Sequence, residues 1–323
     1  MHPALSVIFL TTLIGAGQGL FLALFTGESY AAINIIPEQR HQFFAVGGLI
    51  VLMLLIAGLV ASFFHLGHPE RAWRAVTQWR TSWLSREVII LPLVMLLVAL
   101  WSIAHYLEWN PTLLGMELGS EITLTLGAVT SAAVFLLYIA TAMIYASIRF
   151  LREWASPLTV INFTLLGAAS GFLLATAYAT NYAQNLVNFY GGWAMILTLA
   201  AWFSRSAALI RNARLKPKST IQSAIGIRHS QIAQKSMGMM GGSYNTREYF
   251  HGASRMVLRL IKWLALVLTF PLPLLLIWFG MSSDNAQLIL IALFVQYLGL
   301  LFERWLFFAQ ANHPQNIYYQ TVG

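Results

Sequence analysis

Residues 3–27 have the sequence PALSVIFLTTLIGAGQGLFLALFTG, which contains no Asp, Glu, Lys or Arg over 25 consecutive positions. A helix rises about 1.5 Å per residue, so this run is long enough to cross a hydrocarbon core of about 30 Å. The run therefore predicts a transmembrane helix near the start of the chain.

Pairs of glycines spaced four residues apart occur twice in the apolar sequence. Gly15 and Gly19 lie in the first run, and Gly167 and Gly171 lie in a later one. This spacing lets the backbones of two membrane helices approach closely. Gln18, between the first pair, needs a partner inside the membrane, so we also predict an interhelical hydrogen bond.

Apolar runs recur along the whole chain, which is 58% hydrophobic and only 9% charged. That composition excludes a soluble protein of 323 residues. We predict an all-α fold: one polytopic membrane domain over residues 1–323, with eight transmembrane helices and both termini cytoplasmic. The predicted spans are about 4–26, 42–64, 87–107, 122–147, 155–177, 189–210, 260–281 and 285–307.

The positive charge is distributed unevenly between the two sides of these spans. Of the 19 Lys and Arg residues, all except Arg40 fall in the termini and the even-numbered loops. Basic residues are retained on the cytoplasmic side, so this face is predicted to be cytoplasmic in a bacterial inner membrane. The long hydrophilic segment 211–256 lies there and is predicted to dock another subunit; contact with anionic lipid is the alternative.

The chain contains no cysteine. It can therefore hold no cysteine-ligated iron–sulfur cluster, and any redox role must use the clusters of a partner protein. No metal site is predicted in this chain and no nucleic-acid partner is expected. The lipid bilayer is expected to be the main environment of the chain.

Residues able to act on a quinone cluster between the second and third spans. Such chemistry needs a hydrogen-bond donor to a carbonyl oxygen, a group that exchanges protons near neutral pH, and a charge that stabilises the reduced ring. His65, Glu87 and Arg71 can supply these roles, and we expect them to converge at the cytoplasmic boundary. Gly67 would let the ring approach the backbone, while Phe64 and Trp73 offer apolar walls.

A plainer interpretation fits the same residues. His65 and Trp73 are also typical interfacial anchors, and Arg71 with Glu87 could form an interfacial salt bridge. The residue types and their spacing leave both interpretations open.

The stretch from Ala61 to Glu87 resembles the anchor subunits of the DMSO reductase (DmsC) family. The shared features are His65-Leu66-Gly67, Pro69, Arg71-Ala72 and Leu84-Ser85-x-Glu87. The resemblance implies quinol binding by His65, Gly67, Arg71 and Glu87, with His65 and Glu87 exchanging the quinone protons. The resemblance also gives Ser85 and Arg304 as further candidate contacts of the quinone.

The same resemblance implies partners and a reaction. Anchors of this family accompany a molybdopterin catalytic subunit and a four-cluster iron–sulfur subunit, and exchange electrons with the quinone pool without haem. The cytoplasmic placement of the loop and the segment 241–248, GGSYNTRE, resemble the sulfite-oxidising branch. Sulfite oxidation by ubiquinone or menaquinone is thus expected, with reduction of DMSO or another S- or N-oxide by menaquinol as the alternative.

Three other classes of function are alternatives for this sequence. A di-haem anchor is disfavoured because His65 and His105 lie at opposite ends of their spans, separated by about 30 Å. His41 and His105 can approach each other, but both sit at span ends. A proton-conducting subunit would need ionisable residues within the spans, and none is found in a span core. A membrane tether without a quinone site is the third alternative.

Overall fold

The computed structural model describes residues 1–109, 112–113, 116–117, 119–216, 220–232 and 250–314. Its helices are α1 (Leu5–Ala32), α2 (His41–Phe63), α3 (Trp83–Tyr106), α4 (Gly119–Ala146), α5 (Pro157–Tyr182), α6 (Val187–Ala213), α7 (Ile221–Ile225), α8 (Arg255–Thr269), α9 (Pro271–Ser282) and α10 (Ala286–Ala309). Short 3-10 helices lie at Pro69–Gln78 and Gln184–Leu186, and β1 (Thr112–Leu113) pairs antiparallel with β2 (Met116–Glu117).

Eight helical segments in the described residues are long and apolar enough to cross a bilayer, with α8 and α9 together forming the seventh. The predicted all-α fold with eight spans is confirmed. The amino group of Met1 donates a hydrogen bond to the carbonyl of Ala311 at 2.8 Å, so both ends of the bundle meet at one face. We call this the termini face, and the other the opposite face.

Helix α1 occupies the centre of the bundle and packs against α2, α4, α5 and α10. Its contact with α5 is made by the predicted glycines. A Cβ atom on Gly19 would overlap the carbonyl oxygen of Gly167, and one on Gly171 would overlap the backbone of Gly19. The two helices thus touch backbone to backbone, as small residues at this spacing allow.

Two side-chain hydrogen bonds join α1 to α4. The Gln18 amide donates to the carbonyl oxygen of Val134 at 3.2 Å, which confirms the predicted interhelical bond. The Tyr138 hydroxyl donates to the carbonyl oxygen of Gly15 at 2.8 Å. Both bonds satisfy polar atoms that hydrocarbon could not.

The seventh span is broken between Thr269 and Pro271, a feature that was not predicted from the sequence. Proline has no backbone N–H and its ring excludes the preceding helical turn, so α8 ends and α9 begins there. The Thr269 carbonyl lacks a helical donor because residue 273, four positions on, is also a proline. The Gln296 amide of α10 lies 3.4 Å from this carbonyl and 3.2 Å from the Thr198 hydroxyl. A donor from a neighbouring helix thereby replaces the lost helical bond.

The predicted docking segment 211–256 is only partly described. Helix α6 continues through Ala213, α7 follows a capping box at Thr220, and α8 begins at Arg255. The 241–248 motif lies outside the described residues. The docking role of the segment stays a prediction.

The glycine contact between α1 and α5 generates a first prediction. Gly171→Ala should destabilise the bundle by about 1–3 kcal/mol, because the added methyl group must displace the α1 backbone. Gly192→Ala is the matched control, since nothing lies within 4 Å of its added Cβ. Thermal unfolding in detergent compares the two variants, and equal melting temperatures would contradict the packing described.

Candidate functional site

The connection between α2 and α3 carries most of the predicted site residues. Residues Pro69–Gln78 form a 3-10 helix that packs against α3 but buries none of its side chains. His65 lies just after the end of α2, where partial desolvation lowers the pKa of its imidazole. The neutral ring is therefore favoured near neutral pH and can accept a proton. A Cβ on Gly67 would meet nothing within 4 Å, so its backbone is open to an approaching molecule.

The exposed side chains of this connection pair locally. The Arg71 guanidinium lies 3.7 Å from the Glu70 carboxylate, and the His68 imidazole lies 3.0 Å from the same carboxylate. Arg71 thus pairs with Glu70, and the interfacial salt bridge with Glu87 considered from the sequence is not formed. Surface pairs of this kind contribute little to stability and rearrange easily.

Glu87 lies one turn into α3 and is buried. The Thr141 hydroxyl of α4 donates a hydrogen bond to its carboxylate. Nearby, the Ser82 hydroxyl caps α3 by accepting from the backbone N–H of Ser85, whose side chain is also buried. The start of α3 therefore directs a carboxylate inward, toward α4.

A second buried group of charges lies near the termini ends of α6 and α10. The Glu303 carboxylate holds two guanidinium groups, those of Arg205 and Arg304, each at 2.7 Å. All three side chains are at most 4% exposed. Arg304 also stacks over the Phe163 ring at 4.0 Å. A cavity of about 10 Å³, the size of one water molecule, adjoins this charged cluster.

Tyr145 connects the two buried groups. It lies one turn after Thr141 on α4 and interacts electrostatically with both Glu87 and Arg304. Glu87, Thr141, the partly buried Tyr145 and the Arg205–Glu303–Arg304 cluster thus form a polar row across α3, α4, α10 and α6, which we call the buried polar row. Two predicted site residues far apart in the sequence, Glu87 and Arg304, belong to the same row.

An apolar groove of about 340 Å³ lies between α1 and α2 at their termini ends. It is lined by Ser6, Phe9, Leu13, Ala57, Val60, Ala61 and Phe64. Its volume falls in the range of small-molecule sites, and its lining suits a ring with a hydrocarbon chain. Phe64, the predicted wall residue, is 82% exposed at the end of the groove, and His65 follows it directly in the chain.

The structure thus divides the predicted residues into two groups. Phe64 and His65 belong to the groove end, and Glu87 and Arg304 belong to the buried polar row. Trp73 is 67% exposed on the 3-10 helix, with the Arg74 guanidinium 5.6 Å from its ring. Arg71 and Glu87 bond to different partners, so the convergence of His65, Arg71 and Glu87 on one ligand stays a prediction.

Comparison with known proteins identifies the family. The family model of the DMSO reductase anchor subunit (DmsC) matches residues 1–309. The chain belongs to the DmsC family of anchor subunits. It is also 58% identical, over the full length of both chains, to a protein of Allochromatium vinosum that is named as a subunit of sulfite dehydrogenase. The family resemblance predicted from residues 61–87 is confirmed, and so is its sulfite-oxidising branch.

This DmsC-family chain is the membrane anchor of a molybdoenzyme. Among its described residues, no group of three or more His, Asp or Glu side chains is arranged to hold a metal ion. His41 and His105 do approach each other, as considered from the sequence, but their Nδ1 atoms are hydrogen-bonded at 2.9 Å. That direct bond does not fit ligation of an iron between them.

Sequence reasoning missed four members of the buried polar row in the anchor: Thr141, Tyr145, Arg205 and Glu303. Threonine in an apolar helix gave no distinctive signal, and Arg205 was counted with the loop charges. The available signal was the position of Arg205 inside the predicted span 189–210. A charge inside a span needs a partner, and Glu303 was a candidate on the last helix.

The buried charged cluster of the anchor generates a second prediction. Glu303→Gln should destabilise the protein by about 3–5 kcal/mol, because it leaves two buried guanidinium groups without a counter-charge. Glu70→Gln removes an exposed pair and is the matched control, expected to cost about 0–1 kcal/mol. Denaturant unfolding in detergent measures both. A Glu303→Gln protein as stable as the control would contradict the role of the cluster.

Proposed function

We propose that this chain is the quinone-reactive anchor of a sulfite dehydrogenase in a bacterial inner membrane. The name of its full-length relative supports the substrate. In the complex, an iron–sulfur subunit with four clusters and a molybdopterin catalytic subunit supply the electrons. Sulfite, water and quinone would yield sulfate and quinol, which balances two electrons and two protons. The distribution of Lys and Arg supports a cytoplasmic termini face.

The observation that carries the proposal is the apolar groove whose lining includes Phe64, the residue that precedes His65 in the chain. A quinone is an apolar ring with a long hydrocarbon tail and two polar oxygens. The groove provides apolar walls along α1 and α2, and its lining ends at Phe64, the residue directly before His65. We infer that the tail lies along the groove and that one ring oxygen faces His65.

The polar residues then have different roles in quinone binding and proton exchange. His65, favoured as the neutral ring, donates a hydrogen bond to a carbonyl oxygen or accepts a proton from a quinol. The Glu87 carboxylate, oriented by Thr141, holds a proton within the buried row. Arg71 is 57% exposed and only loosely paired, so it is free to turn toward a developing negative charge.

The iron–sulfur subunit is proposed to cover the exposed connection between α2 and α3. Three arginine–tryptophan pairs follow one another there: Arg74 on Trp73, Arg80 on Trp79 and Arg86 on Trp83, at 5.6, 5.4 and 4.1 Å. Arginine and tryptophan are enriched in protein interfaces. We call these residues the arginine–tryptophan strip. It follows His65 along the same connection and the start of α3, so we propose that a partner bound there brings its terminal cluster near the quinone.

Replacing His65 tests the quinone site. His65→Ala should lower sulfite-dependent reduction of a quinone analogue about a hundredfold, because the proton donor is lost. Sulfite-dependent reduction of a soluble dye by the same purified heterotrimer should be unchanged. His68→Ala, on the same connection, is the matched control for both reactions.

Three further variants separate the role of the groove from that of the buried polar row. Val60→Trp fills the groove and should raise the KM for the quinone analogue. Glu87→Gln and Thr141→Val should lower kcat instead, since they act on proton exchange. The site assignment is falsified if His65→Ala, Val60→Trp and Glu87→Gln all retain quinone-linked turnover. A complex that reduces DMSO with menaquinol but does not oxidise sulfite would instead assign the alternative substrate.

Charge reversal tests the docking surface. Arg74→Glu combined with Arg80→Glu should weaken association of the iron–sulfur subunit about tenfold or more, because like-charge contacts cost over about 1.4 kcal/mol. The measurement is the amount of that subunit recovered with the tagged anchor. Arg40→Glu, on the opposite face, is the control. Equal recovery from the two proteins would place the interface elsewhere.

A further inference from the structure

Three polar side chains, His41, His105 and Glu28, follow one another at the opposite face, away from the proposed quinone groove. His41 begins α2 and is exposed. Its Nδ1 atom lies 2.9 Å from Nδ1 of His105 on α3. The Nε2 atom of His105 lies 3.2 Å from Oε1 of Glu28 on α1, and the Trp101 indole donates to Oε2 of Glu28 at 3.1 Å.

Exposure falls along these three side chains from the surface inward. The His105 side chain is 2% exposed and Glu28 is 8% exposed, so only His41 reaches the aqueous phase. Glu28 lies in the last turns of α1, about 35 Å from the termini end of that helix. The carboxylate is therefore buried near the face opposite to His65.

The bonding pattern restricts where the protons lie. One proton can occupy the space between the two Nδ1 atoms, so one ring donates and the other accepts. If His105 donates its Nε2–H to the Glu28 carboxylate as a neutral ring, its Nδ1 must accept from His41. His41 then presents an unprotonated Nε2 to water. In this arrangement the surface nitrogen can accept a proton from water, and each following group can pass a proton inward.

We propose that His41, His105 and Glu28 form a proton-exchange relay that connects the aqueous phase at the opposite face with a buried carboxylate. In the inward step a proton from water binds Nε2 of His41, and the Nδ1 proton of His41 moves to Nδ1 of His105. The Nε2 proton of His105 moves to Glu28. One proton enters, one carboxylate is neutralised, and both imidazoles end neutral.

The surroundings hold the relay in place. The Phe44 and Trp101 rings pack against the His105 ring at 4.9 and 4.5 Å, which fixes its orientation and excludes water. Trp101 occupies one oxygen of Glu28 and leaves the other for His105. From α6, the titratable group facing Glu28 is Tyr190, which interacts with it electrostatically.

Tyr190 supplies a second, independent observation. Its hydroxyl is fully buried beside Gly27 and has no hydrogen-bond partner in the part of the chain that the structure describes. A buried hydroxyl without a partner is costly in free energy unless it bonds to a bound water or to a neighbouring side chain in another protonation state. The Tyr190 hydroxyl interacts electrostatically with Glu28, so a protonated Glu28 has a candidate acceptor there.

The relay is independent of the proposed quinone site. It lies on other residues at the opposite face, and its failure would leave the His65 assignment intact. If the proposed quinone site also exchanges protons at the termini face, the anchor exchanges protons with both aqueous phases.

A pH-jump experiment on the full-length chain in lipid nanodiscs tests the relay. Infrared spectroscopy follows the carbonyl stretch of a protonated carboxyl group after rapid acidification. We expect a band that is absent in Glu28→Gln. In His41→Ala the rate of band formation should fall at least about tenfold, because the proton acceptor at the surface is lost. Gln42→Ala, the exposed neighbour, should form it at the wild-type rate.

Added imidazole separates a relay from a structural role. Imidazole in solution should restore the rate in His41→Ala, whereas a merely structural histidine would not be rescued. Nitrogen NMR of the imidazoles in the unmodified chain provides a measurement that needs no variant. At alkaline pH the relay requires the proton of His105 on Nε2 and that of His41 on Nδ1. Unchanged kinetics in His41→Ala, absence of rescue, or the reverse tautomers would each overturn the proposal.

Discussion

The backbone contact between α1 and α5 is the constraint on which the bundle depends. In a bilayer the helices gain no hydrophobic energy by associating, because lipid chains are as apolar as their side chains. Close packing and interhelical hydrogen bonds must hold them together. Gly19 and Gly171 bring the α1 and α5 backbones into direct contact, and Gln18 and Tyr138 join α1 to α4. With α1 fixed at the centre, both the groove and Glu28 have defined positions.

Buried polar groups mark where this bundle departs from a simple apolar anchor. One group, Glu87 with the Arg205–Glu303–Arg304 cluster, lies toward the termini face, and the other, Glu28 with His105, lies toward the opposite face. Each polar side chain in the bilayer is costly unless it has a partner, and here most have one on another helix. The partners therefore also specify which helices are neighbours.

Most of the fold followed from the sequence, because crossing a membrane imposes a length and an apolar composition on each helix. Eight spans, the glycine contact and the family resemblance of residues 61–87 were predicted correctly. The pairing of the buried polar side chains was not predicted. The sequence does not reveal that Arg205 meets Glu303, or that Glu28 meets His105, because helix rotation and neighbour order decide those pairs. The break before Pro271 was also missed, although proline itself carried the signal.

The groove between α1 and α2 faces sideways, since Phe9 and Val60 on its walls are 39% and 49% exposed within membrane-spanning helices. A hydrophobic substrate would thus arrive by diffusion in the plane of the bilayer rather than from water. Transfer from lipid into an apolar groove releases little free energy. Discrimination among lipid-soluble molecules must then come from the few polar atoms at the end of the groove, and occupancy should follow the substrate's concentration in the membrane.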